Sequence, residues 1–66
     1  MQIFLNGQSL DLQAPISLAQ LLKQQGYAQR RVAVEVNRSI VPKSQHDQHL
    51  LNEGDKVEIV HALGGG

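Results

Sequence analysis

Glu53-Gly54-Asp55-Lys56-Val57-Glu58-Ile59-Val60, residues 53–60, decides the fold. Glu53-Gly54-Asp55 reads as a turn. Lys56 to Val60 then alternates and sets Val57 and Ile59 on one face, the period-two pattern of a strand buried on one side. Ahead of it, Ser44 to Leu51 is polar until Leu50 and Leu51 and reads as a loop or one short helical turn. A connection of that length keeps the last strand from folding back as a simple hairpin on its predecessor. The strand is expected to lie beside the first strand of the chain and to run parallel to it.

The strongest strand in the sequence lies further upstream. Val32-Ala33-Val34-Glu35-Val36 sets β-branched residues at alternate positions. Asn37-Arg38 makes a turn, Ser39-Ile40-Val41 a short return strand, and Pro42 stops it, since proline has no N–H for a ladder. Further upstream, Ser17 reads as a helix N-cap and Gln20 completes a capping box. Ile16, just before the cap, can staple against Leu21. Leu18, Leu21 and Leu22 form one apolar stripe, and Gly26 suits the left-handed position just past a helix end. A helix is expected over Leu18 to Gln25, its stripe facing an N-terminal hairpin. That hairpin runs from Met1 to Leu5, through Asn6-Gly7 as a type I′ turn, and back along Gln8 to Leu12 with Leu10 and Leu12 on one face. The order β-β-α-β-β-β describes an α+β domain, a mixed sheet of about five short strands packed on one helix. Residues 1–61 are expected to make the domain. Residues 62–66, ending Gly64-Gly65-Gly66, are expected to be a flexible C-terminal tail.

Sixty-six residues make one small domain. Such a domain buries only about 60% of the surface of its unfolded chain. Little volume is left for a deep cleft, so function is expected at a rim, a flat face or a chain end. The absence of cysteine excludes disulfides and any thiol chemistry of the chain's own. Six basic and six acidic side chains balance, which argues against a nucleic-acid partner. Arg30-Arg31 is taken as a solvated loop pair. The apolar runs are too short for a membrane span, and the N-terminus lacks the pattern of a signal peptide. The expectation is a soluble, cytoplasmic protein.

His46 and His49 are spaced for one helical turn, but zinc needs three or four ligands and the sequence offers no nearby third. They are expected to be solvated loop histidines, with no metal site. Glu35 and Glu58 fall at outward strand positions and read as solvent-facing residues of an open sheet face. Ile3 and Leu5 take inward positions, which turns Phe4 outward. Val60 and Ala62 are outward in the last strand. Apolar groups gathered on one face mark a contact surface; packing of Phe4 under a loop is the other reading. His61, where the last strand passes into the tail, reads as a partner or phosphate contact, or as an ordinary edge residue.

Together, the element order, Asn37 before Ile40-Val41-Pro42, the Glu53-Gly54-Asp55 turn, the strand Val57 to Val60 and the terminal Gly64-Gly65-Gly66 resemble the ThiS family. These are sulfur carriers of thiamine biosynthesis with the ubiquitin-like β-grasp fold. Met1-Gln2-Ile3-Phe4 also resembles ubiquitin, which shares that fold. The resemblance covers the whole chain. Two glycines define the family's chemistry, and the third reads as an upstream extension of the tail.

The resemblance implies that Gly66 is the reacting residue, adenylated at the expense of ATP by a ThiF-type enzyme. A persulfide donor then supplies sulfur, and the thiocarboxylate passes it to a ThiG-type thiazole synthase. Adenylation replaces a poor leaving group with AMP and splits one hard step into two easier ones. Leu63, Gly64 and Gly65 make the tail, in which glycine's lack of Cβ permits close approach to an activating site. Phe4, Val60, His61 and Ala62 make the partner-binding face. On this reading the protein is no enzyme and holds no permanent cofactor; ATP is used by the activating partner. Molybdopterin synthesis uses a carrier with the same fold and tail, though usually a longer one. A ubiquitin-like modifier would instead form isopeptide bonds, and a plain interaction module would leave the tail unused.

Overall fold

Asn6 and Gly7 adopt φ of +50° and +84°, the left-handed pair that folds strand β1 (Gln2–Leu5) back on β2 (Gln8–Asp11). Asn37 and Arg38 do the same at +52° and +72°, joining β3 (Val32–Val36) to β4 (Ser39–Ile40). The computed structural model describes residues 1–61. The five strands form one sheet in the order β2-β1-β5-β3-β4. The last strand, β5 (Lys56–His61), is therefore central. It runs parallel to β1, as expected, and antiparallel to β3.

Both turn asparagines work on this central strand. Asn6 Oδ1 accepts from the Ile59 N–H at 2.8 Å, and Asn37 Oδ1 accepts from the Lys56 N–H at 3.0 Å. Asparagine tolerates the left-handed conformation, and here its side-chain oxygen also serves as a ladder acceptor. One residue type thus makes the turn and ties it to β5.

Helix α1 (Leu18–Gln24) begins at Ser17 with both halves of the expected capping box. Gln20 N donates to Ser17 Oγ at 3.1 Å, and Ser17 N donates to Gln20 Oε1 at 2.9 Å. The stripe of Leu18, Leu21 and Leu22 is buried against Ile3, Val34, Leu51, Val57 and Ile59. Gly26, at φ +86°, follows the C-cap Gln25.

A helix start leaves backbone N–H groups without intrahelical partners. The connection between β4 and β5 supplies the acceptors. Leu18 N donates to His49 O at 2.8 Å and Ala19 N to His46 O at 3.0 Å. That connection opens with a 3₁₀ turn, Lys43–Gln45. Packing on the helix start corrects one expectation. His46 is not a solvated loop histidine but is buried, and its Nε2 donates to Val41 O at 2.9 Å. A polar ring is tolerated inside because this bond compensates its desolvation. Leu50 and Leu51, adjacent in sequence, part company: Leu51 is fully buried and Leu50 exposed. No helix among the described residues is long and apolar enough to cross a membrane.

Candidate functional site

Along β5, Val57 and Ile59 are buried while Lys56, Glu58 and Val60 are exposed. The strand therefore shows one face to α1 and the other to solvent. On the outer face, Phe4 stands opposite Lys56 and Ser9, Glu58 opposite Glu35, and Val60 opposite Ala33. Phe4 is half-buried, and it lines a shallow notch of about 300 Å³ with Gly7, Lys56 and Glu58. Val60 is 53% exposed. Phe4 and Val60 share the face but not a row. Four residues of strand separate their levels, about 13 Å at a strand's rise per residue. Glu58 lies between them.

Ile40, opposite Glu35 on the edge strand, is 70% exposed. It belongs to the same outer surface, and alternation along β3 and β4 marks it once the register is known. The face is thus apolar at its margins and acidic at its centre. Glu35 and Glu58 meet directly across the β3–β5 pair, an arrangement that costs stability unless water screens it. The sequence placed both outward but could not pair them.

His61 ends β5 opposite Val32. Its ring sits 5.7 Å from that of Tyr27, tilted by 52°. Tyr27 is one of the chain's two aromatic residues, with Phe4. It follows the C-terminal glycine of α1, so the loop after the helix braces the last described residue of the strand. Tyr27 was missed in the sequence reading; its signal was rarity, a lone aromatic just past a helix stop. Ala62, Leu63, Gly64, Gly65 and Gly66 lie outside the described residues, as does the expected division at residue 62. Among the described residues no cluster of His, Cys, Asp or Glu is gathered for a metal ion.

A family model described as the ThiS family matches residues 3–66. The chain belongs to the ThiS family. The sulfur carrier protein ThiS of Escherichia coli K12 is 33% identical over the full length of both chains. A thiazole synthase of Paramagnetospirillum magneticum is 44% identical over 66 residues, all of this chain but 20% of that protein. The chain therefore spans about a fifth of the length of that relative. The crystal structure of a thiamine biosynthesis protein (ThiS) from Geobacter metallireducens superposes with a TM-score of 0.87 at 28% identity, covering all of both chains. The ThiS-type β-grasp expected from the element order is the fold observed.

Proposed function

We propose that this carrier holds sulfur as a thiocarboxylate on Gly66 and delivers it for thiazole formation. The Gly66 carboxylate attacks the α-phosphorus of ATP and releases pyrophosphate. The terminal sulfur of the donor then attacks the acyl carbon and AMP leaves. A second thiol cleaves the S–S bond of the resulting acyl disulfide, freeing the thiocarboxylate and leaving the donor's own sulfur in a disulfide with that thiol. The enzyme of the first step is of the ThiF type, the sulfur donor is a persulfide, and the acceptor is a thiazole synthase of the ThiG type in the cytoplasm. The observation that carries this reading is the position of β5: the strand that leads towards Gly66 is the central strand of the sheet. Five residues then reach at most about 17 Å, so the tip can react in a partner's site while the domain docks outside it. A whole-chain counterpart within a thiazole synthase supports ThiG-type acceptance over the molybdopterin alternative.

Phe4, Val60, His61 and Ala62 form the docking face in this proposal, with Leu63, Gly64 and Gly65 threading the activating channel. ATP–pyrophosphate exchange with a ThiF-type enzyme tests it. Deleting Gly66, or adding one residue after it, abolishes exchange while the fold persists. Undiminished exchange by both variants overturns it.

A further inference from the structure

The second half of α1, the loop before β3 and the start of the β4–β5 connection enclose a groove of about 410 Å³. Lys23, Arg30, Arg31 and Lys43 line it. They are four of the chain's six basic side chains, so a chain of zero net charge gathers most of its positive charge in one place. Asp47 is the acid on the lining. Lys23, Arg30 and Lys43 make no ion pair among the described residues. Between the charges the wall is apolar, with Leu22, Tyr27 and Val32.

One side of the groove is an open sheet edge. β4 covers β3 only at Glu35 and Val36, and beyond it Val41 N donates to Val34 O at 2.9 Å. Pro42 then turns the chain away without an N–H to give. Backbone polar groups alternate sides along a strand. Asn37 N donates to Lys56 O on the β5 side, so Val36, Val34 and Val32 present theirs to the β4 side. Return strand β4 has ended before it reaches Val32. The Val32 N–H and C=O therefore face the groove with no strand beside them among the described residues.

We propose that this groove binds an extended acidic segment of a partner protein, laid as a short strand along the free edge of β3 with its carboxylates against Lys23, Arg30 and Lys43. An unpaired strand edge accepts peptide backbone, which a nucleotide does not supply. The cationic rim selects Asp and Glu, and like-charge rejection of basic segments sharpens that choice. The basic part of the lining lies away from Phe4 and Glu58, while Tyr27 and Ala33 bring the groove up to His61 and Val60. A partner held here therefore sits beside the outer face without covering Phe4. The interaction goes beyond sulfur transfer and does not require Gly66 to be activated.

The test is an NMR titration of the uniformly ¹⁵N-labelled chain with a capped synthetic peptide alternating Glu and Val. Saturable shifts are expected at the amides of Lys23, Val32, Ala33 and Lys43. They weaken as ionic strength rises from about 0.1 M to about 1 M, which shortens the screening length from about 10 Å to about 3 Å. Joint Lys23→Gln and Lys43→Gln substitution, at two exposed positions, weakens binding roughly tenfold. Phe4→Ala leaves it unchanged. Three results overturn the proposal: no saturable shift, equal binding of a peptide with Gln in place of Glu, or tighter binding of ATP than of the acidic peptide at the same amides.

Discussion

The two ends of β5 are held by different means. At the Lys56 end, the buried Asp55 carboxylate accepts from Asn37 Nδ2 at 3.0 Å and from Asn52 N at 2.8 Å. Glu53 accepts from Gln2 N, and Gly54 N donates to Gln2 O at 2.7 Å. Turn, loop and first strand all converge there. At the His61 end the strand has its register with Val32 and one tilted ring contact with Tyr27, beside an exposed Val60. Polar side chains fix the chain where it enters the centre of the sheet. At the His61 end, among the described residues, the backbone ladder and the Tyr27 ring contact are the restraints the strand shows. A domain built this way can have its outer face altered near His61 with small loss of fold.

The largest effect is expected at the entering end. Asp55→Ala strands the Asn37 amide and the Asn52 N–H together, a loss of ~2–4 kcal/mol. For a domain of this size thermal denaturation should move down by more than about 10 °C. A shift of only a degree or two would break the comparison, because the clasp would then hold nothing.

Phe4→Ala should cost less. The side chain is half-buried, so the expected loss is ~1–2 kcal/mol, below the ~3–5 kcal/mol of a fully buried phenylalanine. Affinity for the activating enzyme and for thiazole synthase should each fall by ~1–3 kcal/mol. Calorimetric binding and thermal melts on the one variant separate these terms. A large melting shift with normal affinities would assign Phe4 to the core and move the docking face elsewhere.

His61→Ala is the smallest. It removes the ring contact with Tyr27 from an exposed strand end, worth ~0.5 kcal/mol or less in a chemical denaturation curve. A loss approaching that of Asp55→Ala would show the two ends to be equally fastened.

The fold was legible in the sequence to the extent that its signals were local. Asn6-Gly7, the Ser17–Gln20 capping box, the Leu18, Leu21, Leu22 stripe and the break at Pro42 each act within a few residues. The length of the polar connection argued against a simple hairpin of β5 on β4, and β5 lies between β1 and β3. Features that depend on distant neighbours were not legible. His46 is buried because a carbonyl on Val41 and the start of α1 meet it, which no spacing of histidines announces. Lys23 and Lys43 join Arg30 and Arg31 only after helix and loop pack together, so the basic groove was invisible in a balanced composition. On the outer face, alternation put Phe4 and Val60 on the correct side, but only the β1–β5 register reveals Glu58 between their levels. The chemistry proposed for Gly66 rests on the sequence motif alone, at residues outside those the structure describes.

Intact mass of the chain after incubation with ATP, a ThiF-type enzyme and a persulfide source is the most direct measurement. Loading of Gly66 replaces a terminal oxygen by sulfur and predicts a gain of about 16 Da that is confined to the C-terminal fragment. The gain should vanish when ATP is omitted. An unchanged mass under conditions that load the Escherichia coli carrier, or a gain mapped to any other residue, would contradict it.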